Sequence, residues 1–534
     1  MLDREWPTFT TQHLHCQHEP EPTSPACHFD ADTLLASRLA TAYLLGLLSS
    51  SGPRLVKIIF LLGTRKLTLQ TACLQLYNVV RQAVGIHRFP AFCGVLVGGS
   101  TLLQAPLKAL IVELLRLAQN VPTTNNLRAA ALLAKFIAAA ISASASFTLI
   151  NGASPQSPSA SSLRSSQTSS HLDFIEPGPF DNPPETGSRE ISATSLSASS
   201  LSRADLAGKT MDLTLFSVIR ALDVVISSAW SRQSLDKHPK LDRLSRSTPT
   251  VLFCLSAATI MRAWFYSPSR LPQSYNSWIS AAAKIDHRLI LALRHARYGT
   301  WVYGKDTGMA PLLGSMCRDY GLPEELGDPA ITIPLPCEVV HMGCGKSCEK
   351  HALLRFWKGW KFAAKMYTPI QLFVLAKHLR ATARPGSKLA GLTQNTVLRA
   401  VLDMARSSAF LGTFISLYYY GICLSRTRLG PKLFSAKSVT PQMWDSGLCV
   451  SVGSLLCGLS LLVEQQRKRL EIVMFVLPRA AATWFPRRYL PEDRWKEQLA
   501  FTVSAAVLLT AAQEDPRRVR GVLGNALHGI LKTD

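Results

Sequence analysis

The sequence predicts an all-α fold: a polytopic membrane helical bundle built from two homologous halves and carrying a disordered Ser/Pro-rich loop. Three observations predict it: a shortage of charge, a series of long uncharged runs, and an internal duplication. Only 17% of the 534 residues are charged, where soluble domains run at roughly 25%. Mean hydropathy is +0.13. A soluble chain of this length needs a charged coat, and this one lacks it. Composition also excludes collagen, a coiled coil, a wholly disordered chain and a small disulfide scaffold. The twelve cysteines are scattered, so they read as buried or reduced thiols.

The apolar runs come in order. Phe89–Leu107, Phe136–Ile150, Ser407–Ser425 and Ser446–Val463 are the clearest, several of them close to the roughly 18 residues at which a spanning helix is the default reading. Leu39–Phe60, Leu213–Trp230, Thr250–Met261, Met366–Ala376, Ile472–Phe485 and Gln498–Gln513 are weaker, and each alone reads equally as a soluble core helix. Ten such runs with few charges between them favour a membrane bundle.

Net charge is +23. Residues 151–209 hold four basic groups against six acidic ones, a net of −2 that leaves +25 on the rest. That charge lies in short clusters between apolar runs, as at Arg232–Arg246, Lys346–Lys365 and Arg467-Lys468-Arg469. Basic punctuation of this kind fits anionic headgroups. Zinc-finger, basic-zipper and RNP patterns are missing, so nucleic acid is not an expected partner. No cleavable signal is expected at the start, because acidic residues precede the first apolar stretch.

Segment 151–209 is dominated by Ser, Pro, Thr and Gly. Its few large apolar groups cannot offset the entropy of ordering, which predicts a disordered loop.

Self-comparison shows the duplication. Ala91-Phe92-Cys93-Gly94 recurs as Ala409-Phe410-Leu411-Gly412, and Phe216–Ala221 recurs as Phe475–Ala480. Phe253–Ala258 recurs as Phe501–Ala506, and Pro53 matches Pro369. Gly94 to Phe216 is 122 positions and Gly412 to Phe475 is 63; the excess of 59 is the length of the 151–209 insert. The expected organisation follows. A polar tail (1–41) precedes a first repeat (42–266, interrupted by 151–209), a connecting segment (267–335) and a Cys/His-rich segment (336–357). A second repeat (358–512) and a C-terminal tail (513–534) complete the chain. If five segments of each repeat span, the second half is inverted; if four span, both halves point the same way.

Cys337, His341, Cys344 and Cys348 form the densest polar cluster, with His351 just beyond. Three thiols and an imidazole are the soft ligand set of zinc. A Cys344–Cys348 bridge or plain packing thiols are the alternatives. Gly343-Cys-Gly345-Lys346-Ser347 is not a phosphate-binding loop, because Val340 stands where its first glycine belongs. Arg220 and Arg479 occupy matching positions within apolar segments. They either line a polar pathway or snorkel, with Phe216 and Phe475 one turn away under the guanidiniums. Gly94, Gly98, Gly412 and Gly453 are candidate helix-packing residues, Gly94 and Gly98 as a Gly-x3-Gly step. The nucleophile elbow, the His-Glu-x-x-His zinc helix and the dinucleotide-binding glycine pattern are all missing, so no enzyme is expected.

Pro336-Cys337 through His341, Ser347-Cys348 through His351, Phe356, and Lys365-Met-Tyr367-Thr-Pro369-Ile-Gln-Leu372 together resemble the cysteine-rich N-terminal region of the transmembrane protein 135 family. Tyr303-Gly-Lys-Asp306 and Gly321-Leu-Pro resemble fungal members. Cys337, His341 and Cys348 match the family pattern, and Cys344 is additional. The resemblance implies a multi-pass protein of peroxisomal or mitochondrial membranes, acting in organelle dynamics and lipid metabolism. It also implies a distant relation to the inner-membrane protein-import translocase channels. Expected partners are membrane lipids, with homo-oligomerisation as an option. The expected role is a small-molecule or lipid pathway between the repeats; the alternative is a non-conducting scaffold that recruits partners through the Ser/Pro loop and basic clusters.

Overall fold

The computed structural model describes residues 26–64, 67–118, 123–152, 207–232, 239–382, 392–435, 437–515 and 518–531. Most of the Ser/Pro segment (153–206) and of the N-terminal tail (1–25) lies outside these residues. Everything described is helix or connection; the sole strand-like pairing among the described residues is an isolated bridge between Ala207 and Tyr489.

Among the described residues, six helices or runs of consecutive helical elements are long and apolar enough to cross a membrane: Ser37–Gly63, Phe89–Ala118, Thr124–Asn151, Arg246–Tyr266, Val397–Arg428 and Pro441–Val463. The chain is therefore an integral membrane protein. All four of the clearest apolar runs fall in this set, and so do Leu39–Phe60 and Thr250–Met261. The other four weak runs form helices that do not meet the same measure.

In order, the first part comprises α1 (Ala26–Gly63), α2 (Leu69–Ala83), α3 (Phe89–Leu102), α4 (Gln104–Ala118), α5 (Thr124–Asn151), α6 (Met211–Arg232) and α7 (Pro239–Tyr266). Local chemistry sets the ends. The hydroxyls of Thr68 and Thr123 accept from the Thr71 and Asn126 amides at the starts of α2 and α5. Pro90 stands in the first turn of α3, where its missing N–H costs no bond. Leu44, Leu48, Val56, Ile59 and Phe60 point outward from α1, as expected of a lipid-facing surface. The inner face of α5 is small instead: Ala130, Ala134, Ala138, Ser142 and Ser146 are buried, which lets neighbours approach closely.

A middle region follows: α8 (Gln273–Ala283), α9 (His287–Tyr298), α10 (Ala310–Asp319) and α11 (Cys337–Val340). More than a connector, it shares a dense core with the spanning helices: Leu289, Trp301, Leu313, Met316 and Val339 are almost wholly enclosed in one cluster with Phe253, Tyr418 and Cys449. Asp286 caps α9 by accepting from the Arg288 amide at 2.9 Å, and its carboxylate also accepts from the Arg288 guanidinium. Burial works against that charge, but the Arg288 hydrogen bonds prevail and hold the carboxyl below its ordinary range.

The last part comprises α12 (Cys348–Thr382), α13 (Leu392–Cys423), α14 (Gly430–Leu433), α15 (Pro441–Met443), α16 (Cys449–Leu456), α17 (Gln466–Ala482), α18 (Arg494–Glu514) and α19 (Gly521–Leu531). A π-turn (Leu424–Arg428) extends α13, and a 3-10 stretch (Cys457–Val463) extends α16.

The packing does not follow the repeat boundaries expected from the sequence. One bundle holds α1, α3 and α5, with α18 packed on α5 and α6. The other holds α12, α13 and α16, with α7 packed on α16 and α17. Helix α6 meets α17 between them. The ring of Phe92 (α3) lies 5.8 Å from Phe501 (α18), tilted by 46°, and that of Phe410 (α13) lies 5.7 Å from Phe253 (α7), tilted by 54°. Close helix contacts depend on glycine. A Cβ on Gly412 would fall 2.8 Å from the Phe356 carbonyl oxygen, one on Gly453 2.6 Å from that of Tyr418, and one on Gly98 2.8 Å from Leu39 Cδ1. Gly94 packs more loosely, against Tyr43.

Candidate metal centre and cavities

The turn between α11 and α12 is dictated by backbone shape. Met342 and Gly343 take positive φ (53° and 71°), and Gly345 does so again at 91°. The chain therefore doubles back and brings Cys348 beside Cys337, with their sulfurs 4.0 Å apart. This separation is about twice a disulfide bond, and Cys344 and Cys348 are likewise unbridged free thiols.

Four groups converge there: Cys337, His341, Cys348 and Cys423, their ligand atoms all within 4.8 Å of one another. Cys423 comes from the last turn of α13. This corrects the expected set, since Cys344 is only half-buried and does not join the cluster, and Cys423 stands in its place. The physical reason is that the positive-φ residues Met342, Gly343 and Gly345 fold the chain back so that Cys348, not Cys344, joins Cys337 and His341, while α13 supplies the fourth group.

The chemistry of the donor set fits a tetrahedral ion. Zinc at about 2.3 Å from sulfur and about 2.0–2.1 Å from nitrogen implies edges of roughly 3.8 Å (S···S) and 3.6 Å (S···N). The site has 4.0 Å between the Cys337 and Cys348 sulfurs and 3.3 Å from His341 Nε2 to Cys423 Sγ. His341 Nδ1–H donates to the Gly345 carbonyl at 2.7 Å. The other ring nitrogen is thus left free to face the thiols, the usual outer support of a metal-binding histidine. A hydrogen bond from Cys423 holds the Cys337 thiol below its ordinary range; burial opposes this, and the Arg426 guanidinium assists it. A thiol inclined to lose its proton is what a soft metal needs. These four residues can hold a metal ion.

Around them is a second layer. The ring of His351 stacks on His341 with centroids 4.4 Å apart. Burial, followed by the charge of Arg355, pushes His351 down to about 3, so it is neutral. Arg355 donates to His351 Nε2 and to the Ala283 and Lys284 carbonyls, and lies 4.2 Å over the Tyr419 ring. Beyond Cys423, Arg426 forms a two-point ion pair with Asp445, both almost fully enclosed. Arg426 also donates to the Leu335 carbonyl, and Tyr303 donates to Asp445 at 2.5 Å. The middle region is thereby pinned to the ends of two spanning stretches.

Two cavities accompany the site. One, of about 690 Å³, lies among α7, α8, α12, α13 and α17, walled by Phe253, Tyr275, Trp278, Phe410, Phe414 and Tyr418, with Glu464, Lys468 and Glu471 also on its lining. The other, of about 570 Å³, is polar and lies among α6, α17 and α19. Arg220 lines the polar cavity and is 8% exposed. Its guanidinium lies 5.4 Å from the Phe216 ring, and Arg479 lies 3.8 Å from the Phe475 ring. Arg479 is half-buried, donates to the Phe475 carbonyl and also reaches the Tyr275 ring at 5.4 Å. The two arginines thus share their stacking partner but not their burial, and they do not meet in one cavity.

Comparison with protein-family models, curated proteins and solved structures finds no match. What fold and site define is a class: an all-helical integral membrane protein with a Cys3His cluster at the ends of its helices.

Proposed function

We propose that this chain is a membrane protein of the transmembrane protein 135 type, which handles lipids at a peroxisomal or mitochondrial membrane by enclosing an acyl-bearing molecule. The observation that carries the reading is the aromatic-walled cavity of about 690 Å³ between spanning and middle-region helices. Its size falls within the roughly 300–1,000 Å³ of ordinary ligand cavities. An apolar interior with a few charged groups at its border accommodates a chain with a polar head.

Two homologous halves are part of the proposal, and the packing supports them. Under the sequence correspondence Phe92 matches Phe410, and Phe501 matches Phe253, so the two ring pairs are one contact made twice. Pairing Pro53 with Pro369 sets Tyr43 opposite Gly359. Tyr43 touches Gly94, just as Gly359 touches Gly412. Asn151 donates to the Thr210 hydroxyl at 3.1 Å, which joins the two ends of the Ser/Pro insert, as expected of an insertion into an existing repeat. On this reading the halves exchange their last helices, α7 and α18.

Zinc is the metal proposed for the Cys3His cluster. Its role there is structural: four protein ligands leave no open position for chemistry. Cys337, His341, Cys348 and Cys423 would hold it, tying α11 to α12 and α13.

The test is the lipid content of the purified chain. Ala257→Trp, which fills the cavity from α7, should abolish a co-purifying acyl lipid that wild type retains through mild-detergent purification. Equal lipid in both, or none in wild type, would favour the non-conducting scaffold. Imaging of the tagged chain against peroxisomal and mitochondrial markers tests the organelle.

A further inference from the structure

We infer that the polar cavity among α6, α17 and α19 is a binding site for a phosphate group, either free or carried by a lipid headgroup. The inference is independent of the acyl cavity and of zinc. Arg220, Arg467 and Arg520 converge on a space of about 570 Å³, joined by Asn525 and His528. Two carboxylates, Asp223 and Glu471, also line it. Asp223 is already engaged with Arg520 at 3.8 Å. Three guanidiniums against two carboxylates leave a positive excess, and α19 adds to it. That helix opens at Gly521, the residue whose absent Cβ would sit 3.6 Å from Arg220 Nη1. Its first-turn N–H groups have no partners within the helix and carry the positive end of the helix dipole. Such ends are natural anion sites.

Arg220 points to the missing ligand. It is more than nine-tenths buried, yet Nε has no hydrogen-bond partner among the described residues, and Nη1 makes only a long bond of 3.4 Å to the Arg520 carbonyl. A buried guanidinium has five donors to satisfy. Burial lowers the Arg220 pKa, and Asp223 and Glu471 do not fully offset that. An acceptor with several oxygens and two negative charges supplies what the protein leaves out, and the planar arginine fork matches phosphate geometry. A carboxylate-bearing metabolite has fewer acceptor oxygens for the same donors. The guanidinium also rests on the Phe216 ring, which fixes its plane.

The experiment uses the full chain reconstituted in nanodiscs. Binding of inorganic phosphate is titrated in discs of neutral phosphatidylcholine. Binding to vesicles containing phosphatidic acid is compared with binding to phosphatidylcholine vesicles. Phosphate binding alone assigns a free anion, and selective vesicle binding alone assigns a headgroup; either supports the site provided Arg220→Gln weakens it about tenfold or more, as expected on losing a charge-assisted bond. Because Arg220→Gln removes a buried group, exposed Arg467→Gln serves as a second variant, with unchanged melting temperature as its control and a several-fold loss expected. Neither ligand binding, or binding indifferent to both substitutions, overturns the inference.

Discussion

Replacing Cys423 with alanine tests the metal centre most directly. Cys423 lies 75 residues beyond Cys348 in the chain, yet its sulfur is 3.3 Å from His341 Nε2. Losing an outer partner of a metal ligand already costs about 10–100-fold in affinity, and removing a ligand itself costs more. We expect zinc affinity to fall at least about 100-fold, or about 2.8 kcal/mol. Wild type should carry one zinc per chain by elemental analysis, and Cys423→Ala should lose it to a chromophoric chelator that wild type resists. Cobalt substitution gives a second reading, since sulfur-to-cobalt absorption scales with the number of thiolates. Cys344→Ala should match wild type throughout, because its side chain lies outside the cluster. If Cys423→Ala keeps a full equivalent of zinc while Cys344→Ala loses it, the four-ligand assignment is wrong.

Asp445→Asn leaves Arg426 buried without its counter-charge and should destabilise by about 3–5 kcal/mol, read as a lower melting temperature in detergent; retention of wild-type stability would refute the clamp. Double-mutant cycles to leucine on Phe92/Phe501 and Phe253/Phe410 should each give coupling of about 0.5–1.5 kcal/mol, and similar values at both pairs are required if the contact is duplicated. Asp286→Ala removes the α9 cap and its pairing with Arg288 and should cost about 1–2 kcal/mol at neutral pH. The Asp286 carboxyl is held below its unfolded value of about 3.9, so its contribution is complete above that pH and lost as pH falls through the lower folded value. Wild type should therefore lose more stability than the variant between pH 5 and pH 3, and equal losses would contradict the assigned direction.

Much of the fold is legible in the sequence because lipid imposes a one-dimensional rule: a spanning helix must be continuously apolar. That rule found Phe136–Ile150 and Ser446–Val463 without reference to any partner. It says little about α6, α17 and α18, whose mixed faces pack on other helices. The Cys/His cluster was half legible. Cys337, His341 and Cys348 share a local pattern, but Cys423 arrives by tertiary packing, and no spacing rule reaches across α12 and α13. A signal did exist for the Arg426–Asp445 pair. Arg426 directly follows the run ending at Ser425, and Asp445 directly precedes the run starting at Ser446. Two opposite charges at facing ends of adjacent apolar helices are natural partners. The middle region shows no such signal, since its buried residues come from short helices and turns.

The placement of α18 has a consequence for biosynthesis. It packs on α5 and α6, though it is separated from them by the whole middle region and by α12 to α17. Until residue 514 leaves the ribosome, the buried faces of Phe92, Ala143 and Phe147 lack their cover from Phe501 and Ala505. The nascent chain must hold that bundle open, shielded by lipid or by a chaperone in the insertion machinery. A stop codon between α17 and α18 therefore spares every helix of the second bundle and leaves the first without its last one.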